Sequence, residues 1–189
     1  MITIRRARLS DAGAIGAVHV AAWRSAYPGI LPDEYLARLS APRQAAYYDS
    51  AVRSGVGVHV ASASGADLGM LGGAARVVGF VTGSPARDGR WTERLAEGEI
   101  ETLYVLDDWR ERGVGRRLMR AAAANLAACG CRSAFVWVLR ANPSRWFYER
   151  LGGRAAAEAT IHVAGVPVVQ TGYVWSPIEK LVQAASLAP

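Results

Sequence analysis

The most regular alternation of hydrophobic and polar positions lies in residues 99–106, which read EIETLYVL and predict a strand. The odd positions share one predicted face, which carries Glu99, Glu101, Leu103 and Val105. After Gly113, apolar residues recur every three or four positions and predict a helix that packs one side on a sheet. The uninterrupted apolar run at residues 134–139 predicts a buried strand after this helix.

The flanking segments predict further strands and short helices. Residues 2–9 begin with β-branched positions and predict a strand, and Ser10 and Asp11 supply an N-cap for a helix that ends near Tyr27. Helices are predicted at 31–39, 42–53 and 144–151, and paired strands at 56–63 with 74–83 and at 155–163 with 168–175. With 189 residues and 51% hydrophobic content, the chain is expected to form one domain over residues 1–189.

The turn between the central strand and its helix, residues 110–115, has the pattern R-x-x-G-x-G. A glycine-containing turn that opens a helix presents unpaired backbone N–H groups to an anion. A P-loop requires Lys and then Ser or Thr after its second glycine, whereas Arg116 and Arg117 follow here. A Rossmann fingerprint requires an acidic residue about 20 positions later, and none occurs between Arg112 and Tyr148. The turn therefore favours a cofactor with several phosphates, with a dinucleotide as the minor alternative.

The charged residues are distributed unevenly along the chain. Between Arg112 and Tyr148 there is no acid but there are seven arginines: Arg112, Arg116, Arg117, Arg120, Arg132, Arg140 and Arg145. Just before them, seven of the 16 acidic residues lie between Glu93 and Glu111. An acidic entrance and a basic floor would attract a cationic amine on one side and a phosphorylated cofactor on the other. The alternative is that these acids only balance charge in exposed loops.

The net charge of +6 and the sequence pI near 9.8 make nucleic-acid binding a further alternative. However, 21 of the 22 basic residues are arginine and only Lys180 is lysine, which resembles a compositional bias. The chain contains no run of five basic residues and no zinc-finger, homeodomain or RNP-like pattern. We therefore expect no specific nucleic-acid partner.

The cysteines and the N-terminal sequence predict a cytoplasmic protein. Cys129 and Cys131 are one residue apart, too close for ordinary disulfide geometry, and fit a reducing compartment. The first residues lack the apolar core of a signal peptide. Residues 159–178 are uncharged over 20 positions, but their glycines and proline predict a buried hairpin rather than a membrane span. Three scattered histidines show no metal-ligand spacing, so no metal and no membrane partner are expected.

Two motifs resemble those of the GNAT superfamily of N-acetyltransferases. Residues 110–115 match the acyl-CoA-binding Q/R-x-x-G-x-G/A motif, and residues 142–152, NPSRWFYERLG, resemble the second motif, an asparagine followed by a helix. Glu111 stands where members often carry glycine, and the distance from Asn142 to Tyr148 is one residue shorter than the commoner form. The resemblance implies an α/β (α+β) fold with a mixed, twisted, mostly antiparallel sheet of six to seven strands. The sheet would be splayed at its central strands and carry helices on both faces.

The resemblance also implies acetyl-CoA as the co-substrate and a role for individual residues. The implied cofactor-binding positions are Leu103, Tyr104, Val105, Arg110, Glu111, Arg112, Gly113, Val114, Gly115, Arg116, Asn142 and Tyr148. In the family, backbone N–H groups at residues 103–105 bind the thioester oxygen and the pantetheine arm, near a bulge. Tyr148 matches the tyrosine that protonates the leaving thiolate. Glu99, which lies 11 residues before Arg110, matches the glutamate that accepts the amine proton directly or through water, and Glu101 is the second choice.

The acceptor site is expected at the first helix-to-helix connection, which lines the acceptor pocket in relatives. Trp23 and Tyr27 belong to this connection, and Trp91, the large apolar residue of the 85–94 loop, is a further candidate.

Together these features predict an enzyme, an N-acetyltransferase that moves an acetyl group from acetyl-CoA to a primary amine of a small molecule or peptide by direct attack. The alternative is a non-catalytic acyl-CoA-binding module that senses or regulates. In that case Tyr148 would be a core residue with a hydrogen-bonded tip. The sequence leaves four properties open: the identity of the acceptor amine, the choice between Glu99 and Glu101 as the base, the preference for acetyl or longer acyl groups, and whether the chain forms a homodimer.

Overall fold

A central sheet forms the scaffold of the protein. The structure is a computed structural model that describes residues 2–64, 67, 75–86 and 95–186. Within those residues, seven strands form one sheet: β1 (Thr3–Arg6), β2 (Gly57–Ala63), β3 (Arg76–Pro85), β4 (Gly98–Val105), β5 (Ala134–Leu139), β6 (Arg154–Val163) and β7 (Val166–Trp175). Their order is β1-β2-β3-β4-β5-β7-β6. Only β4 and β5 pair in parallel, which confirms the mixed, mostly antiparallel sheet expected from the sequence.

Helices cover both faces of the sheet. They are α1 (Ala12–Ala26), α2 (Asp33–Ala37), α3 (Ala41–Arg53), α4 (Val114–Ala128), α5 (Arg145–Arg150) and α6 (Glu179–Ala184). On one face, Leu118 of α4 and Leu181 of α6 are buried in the same apolar cluster as Ile100 of β4. On the other face, Ile15 of α1 and Tyr48 of α3 are buried with the apolar residues of β2 and β3. The positions of α1 to α5 confirm the sequence prediction, whereas α6 was not predicted.

β4 is irregular on both of its edges. Along β3, Thr82 is paired with Thr102 but Gly83 is paired with Ile100, so Glu101 is an extra residue that forms a β-bulge. Along β5, β4 pairs only from Gly98 to Ile100, although both strands continue beyond this point. The sheet is therefore splayed between β4 and β5, as the resemblance implied. We call the space between the two strands after Ile100 the central gap.

The bulge reverses the alternation predicted for this strand. Leu103 and Val105 pack against the apolar cluster that contains α4. Glu99 pairs with Ser84, which projects from the same face of β3 as Phe80, toward α1 and α3. The prediction that the odd positions share one face is therefore wrong, because one inserted residue moves every later side chain to the opposite face.

The C-terminal strands form the predicted hairpin, but its burial differs from the prediction. β6 is largely exposed along its whole length, and only Thr171 to Trp175 of β7 are buried. Among the helices of the described part, none is long and apolar enough to cross a bilayer. Trp91 and most of the two predicted loops, at 64–73 and 85–94, lie outside the described residues.

A close approach of two helices fixes the position of α1. A Cβ atom on Gly16 would lie 2.5 Å from the carbonyl oxygen of Ala41 and 2.7 Å from the backbone nitrogen of Ala45. Gly16→Ala is therefore expected to force α1 and α3 apart and to lower the free energy of unfolding by about 1–3 kcal/mol. Urea unfolding followed by circular dichroism measures this change.

The matched control lies on the same helix. A Cβ atom on Gly13 would meet nothing within 4 Å, so Gly13→Ala should be neutral or stabilising by up to about 1 kcal/mol. Equal stability of the two variants would show that α1 and α3 do not pack as closely as described.

Candidate active site

The N-terminus of α4 forms an anion-binding turn. Glu111 and Gly113 both adopt left-handed conformations, with φ of 58° and 71°. The first backbone hydrogen bond of the helix runs from the Arg117 N–H to the Gly113 carbonyl oxygen, 3.1 Å away. The N–H groups of Val114 and Gly115 therefore have no acceptor within the helix, and Gly113, the N-cap, has no side chain to offer. Successive N–H groups in such a turn are suited to bind phosphate oxygens.

The arginines around this turn differ in what they contact. Arg110 forms an ion pair with Asp107 at 2.8 Å, and the guanidinium of Arg112 lies over the Trp109 ring, 5.0 Å from its centroid. Arg117 donates a hydrogen bond to the Ile2 carbonyl oxygen at 2.8 Å, so this side chain ties α4 to the first strand.

Two backbone N–H groups of β4 face the central gap. The Leu106 N–H donates to the Val78 carbonyl oxygen at 2.9 Å, toward β3. Because backbone groups alternate in direction along a strand, the N–H of Tyr104 also points toward β3, and those of Leu103 and Val105 point away from it. The pairing with β5 has already ended at this point. The resemblance implied that the backbone N–H groups of residues 103–105 bind the cofactor. Only those of Leu103 and Val105 point into the central gap, whereas the N–H of Tyr104 points toward β3.

Tyr148 lies next to the anion-binding turn. The neighbouring Phe147 ring packs over α4, where a Cβ atom on Gly115 would lie 3.3 Å from the ring. Tyr148 itself is buried, and its pKa is raised above the usual range by burial and then by the nearby Tyr27 hydroxyl. The phenol therefore carries its proton at neutral pH.

Asn142 connects the two halves of the site. Its Nδ2 donates to the hydroxyl of Tyr27 at 3.4 Å, across 115 residues of sequence. Its Oδ1 accepts a hydrogen bond of 2.8 Å from the backbone N–H of Ser144, just before α5. The Tyr27 ring contacts Trp23 edge to face, with 5.0 Å between centroids. The structure thus brings together Trp23, Tyr27 and Asn142, which the sequence analysis assigned to different subsites.

Both candidate carboxylates lie on the α1 side of the sheet. The Ser84 hydroxyl donates to Oε1 of Glu101 at 2.9 Å. Glu99 is held in the regular part of the strand, where it pairs with Ser84 on β3 and Phe135 on β5. Glu101 is the bulged residue, and it is two positions closer to the gap-facing N–H of Leu103.

The sequence analysis did not identify His19 and Tyr48 as candidates. Nδ1 of His19 lies 2.8 Å from the hydroxyl of Tyr48, and both side chains are buried. Burial lowers the pKa of His19 to about 4, so the imidazole is neutral at physiological pH. In the sequence, only the position of His19 on the apolar side of a predicted helix could have indicated this pair. A histidine in such a position is more often a buried core residue than a functional one.

Comparisons with known proteins show which sequences and folds this chain resembles. The model of a family described as FR47-like protein matches residues 77–163. A protein of Bacillus subtilis (strain 168), named uncharacterized N-acetyltransferase YuaI, is 33% identical over 181 residues, which are 96% of each chain. An N-acetyltransferase structure from Staphylococcus aureus Mu50 has a TM-score of 0.66 and 18% identity, covering 93% of this chain and 98% of that one. The PaiA N-acetyltransferase of Thermoplasma acidophilum, solved with coenzyme A, has a TM-score of 0.64 and 17% identity, covering 90% and 98%.

The strained turn residue gives a testable prediction. Glu111 occupies a left-handed conformation, which costs an ordinary residue about 1–2 kcal/mol and glycine almost nothing. Glu111→Gly is therefore expected to raise the free energy of unfolding by about 1 kcal/mol, after allowance for the extra freedom of glycine in the unfolded chain.

Glu111→Gln is the matched control, because it removes the charge and keeps the strain. Its free energy of unfolding should stay within about 0.5 kcal/mol of the wild type in urea titrations. A glycine variant less stable than the glutamine variant would contradict the described backbone.

Proposed function

Since the chain belongs to the GNAT superfamily of N-acetyltransferases, we propose that it transfers the acetyl group of acetyl-CoA to a primary amine of a small molecule or peptide by direct attack. One observation carries the proposal: Phe147 packs against Gly115 in the first turn of α4, and its neighbour Tyr148 is close enough to Tyr104 of β4 to influence the pKa of that phenol. On this basis we place the anion-binding turn, the two gap-facing N–H groups of β4 and the phenol of Tyr148 around one region. These are the groups needed to bind a pyrophosphate, a thioester oxygen and a departing thiolate.

In this proposal the chain holds acetyl-CoA at the turn and along the central gap. The N–H groups of Val114 and Gly115 bind the pyrophosphate, and the guanidinium groups of Arg112 and Arg116 add positive charge. The N–H groups of Leu103 and Val105 bind the pantetheine arm and the thioester oxygen. When bound, acetyl-CoA supplies the acetyl group as a thioester, which is activated toward an amine.

The transfer requires two proton movements. An amine is largely protonated at neutral pH, so a base must accept its proton before or during the attack. The new C–N bond forms while the C–S bond breaks, and the electron pair of the C–S bond stays on sulfur. We assign Glu101 as the base, in place of Glu99, because Glu101 lies at the bulge beside the gap-facing N–H groups. Tyr148 supplies the proton that the sulfur receives.

Direct attack is supported by the position of the two cysteines, which are the obvious alternative acyl carriers. Cys129 and Cys131 follow the C-terminal end of α4, and Tyr148 lies near its N-terminal end. This helix has 15 residues, so about 22 Å separates the two ends. Burial also raises the pKa of the Cys131 thiol, which disfavours the nucleophilic thiolate.

The acceptor is proposed to enter on the α1 side of the central gap. Trp23 and Tyr27 supply aromatic surface there, and the carboxylate of Glu101 favours a positively charged amine. The guanidinium of Arg24, on the same connection, donates to the carbonyl oxygens of Leu36, Ala37 and Leu39 and stabilises the end of α2. Because the guanidinium of Arg24 is already bonded to these carbonyl oxygens, it does not serve to bind a substrate carboxylate. An amine without a carboxylate therefore fits this side better than an amino acid.

The function is tested with a panel of amines and a thiol-reactive dye. Purified protein and acetyl-CoA are mixed with putrescine, phenethylamine, lysine, alanine and an N-terminally free peptide, and released coenzyme A is measured. We expect amine-dependent thiol release, strongest for amines without a carboxylate. Acetyl-CoA binding in a thermal-shift assay without thiol release for any amine would instead support a non-catalytic acyl-CoA-binding module.

Tyr148→Phe is expected to lower kcat much more than it changes KM for acetyl-CoA. The hydroxyl acts only as the thiolate departs, and proton transfer by a positioned side chain contributes about 10²–10⁴-fold. The measurement is steady-state kinetics with the fastest amine of the panel.

Tyr173→Phe is the control for loss of a neighbouring phenol. The Tyr173 ring stacks beside Tyr148 with 6.1 Å between centroids, but its hydroxyl donates to Glu149 at 2.8 Å. Its kcat should stay near the wild-type value. A higher KM with unchanged kcat in Tyr148→Phe would make Tyr148 a binding or packing residue.

A further inference from the structure

A line of polar side chains crosses the apolar layer between the helices α1 and α3 and the bulge in β4. Nδ1 of His19 lies 2.8 Å from the Tyr48 hydroxyl. Burial raises the pKa of the Tyr48 phenol, and the nearby hydroxyl of Thr102 acts in the opposite direction. The hydroxyls of Thr102 and Thr82 are 2.8 Å apart. Four elements, α1, α3, β3 and β4, therefore contribute polar side chains to one network, which consists of two hydrogen-bonded pairs that lie close together.

The network ends beside the bulged carboxylate. Glu101 directly follows the regular part of β4 and directly precedes Thr102, and its charge is close enough to Tyr48 to raise the pKa of the phenol. From the other side, Ser84 donates a hydrogen bond to Oε1 of Glu101. The side chain of Glu101 thus lies between the Ser84 hydroxyl and the network of Tyr48.

The surroundings give no reason for polar groups at these positions. Tyr48 is fully buried in a cluster with Ile15, Val18, Val60 and Phe80, and its ring contacts Phe80 edge to face. Phenylalanine would fill the same volume without a hydroxyl. A buried polar group that loses its partner costs about 1–3 kcal/mol, so every member of such a network has to be satisfied. Packing alone therefore does not account for a tyrosine and a histidine here.

The network is better suited to hold a group in place than to store a proton. His19 has its pKa lowered to about 4 by burial, so it stays neutral while the enzyme works near neutral pH. A neutral imidazole and a phenol form a fixed pair, and each restricts the rotation of the other. Thr102 directly follows the extra residue Glu101, so its side chain is next to the bulge.

We propose that Tyr48, held by His19, is a positioning residue that orients Glu101 through the hydroxyl of Thr102 and the bulge in β4. This inference rests on the proposed function, because it assigns Tyr48 a part in the reaction in which Glu101 is the base. A carboxylate on a bulge lacks the regular strand pairing that fixes its neighbours, so its direction depends on side chains packed against it. Misplacement of a reacting group by about 1 Å can lower the rate about 100-fold.

A double-mutant cycle tests the proposal, with kcat measured for acetyl-CoA and the fastest amine of the panel. Tyr48→Phe should lower kcat about 10- to 100-fold with little change in KM for acetyl-CoA. Glu101→Gln should lower kcat about 10²–10⁴-fold. In the Glu101→Gln background, Tyr48→Phe should change kcat less than about twofold, because the group that it orients is no longer a base.

Two controls separate positioning from a loss of structure. Tyr47→Phe removes the hydroxyl of the adjacent, exposed tyrosine of α3, and its kcat should equal that of the wild type. The thermal midpoint of Tyr48→Phe should still rise with acetyl-CoA as it does for the wild type. If Tyr48→Phe does not fold, Thr102→Val takes its place in the same cycle, because it removes the hydroxyl between the phenol and the bulge.

The possible results distinguish the positioning role of Tyr48 from the proposed acetyl transfer. Equal effects of Tyr48→Phe in both backgrounds would make Tyr48 a packing residue and overturn the inference. A wild-type kcat for Glu101→Gln would also overturn it, and a crippled Glu99→Gln would then move the base to Glu99. Neither result would contradict the proposed transfer of an acetyl group to an amine, which the thiol release of the wild-type protein with the amine panel tests separately.

Discussion

The short pairing of β4 with β5 is the constraint on which the candidate site depends. These parallel strands share only three pairs of residues, from Gly98 to Ile100 on β4. Beyond them, the gap-facing N–H groups of Leu103 and Val105 are not used by the sheet. The bulge at Glu101 is located where the strands separate, and bulges increase strand twist locally. A regular ladder would consume the same donors and leave no space for a thioester.

The site is assembled from elements that each contact the gap from a different side. Gly115 allows the Phe147 ring of α5 to pack against the first turn of α4, which brings Tyr148 beside the anion-binding turn. Asn142 and Tyr27 link the start of α5 to the end of α1. Asp107 accepts a hydrogen bond from Ser25 of α1 and forms an ion pair with Arg110. The proposed acceptor side and the proposed cofactor side are therefore linked by side-chain contacts as well as through the sheet.

Local patterns were sufficient to predict most of the strands and helices. The alternation at 99–106, the two glycines of the turn and the apolar arc after Gly113 act within a few residues, and the structure places β4 and α4 there. The alternation within β4 could not predict the bulge. A bulge is an extra residue relative to the partner strand, and the partner here is β3, about 20 residues away in the sequence. α6 has six residues, too few to show a helical period.

The sequence indicated residues of the candidate site only where they belong to a short motif. The turn at 110–115 and Tyr148 belong to such motifs. His19 and Tyr48 do not, because they are 29 residues apart and their partners come from other elements. At position 111 the motif and the structure explain each other. Family members often carry glycine there, and the left-handed φ of Glu111 shows why glycine is favoured at this position.

The central claim is that both substrates meet in the central gap and react directly. Initial rates of thiol release, measured over a grid of acetyl-CoA and amine concentrations, test it most directly. Direct attack requires both substrates on the enzyme together, so double-reciprocal plots should give lines that intersect. Parallel lines, together with an acetylated enzyme detected by mass spectrometry in the absence of amine, would contradict the account, since they indicate a covalent intermediate and ping-pong kinetics.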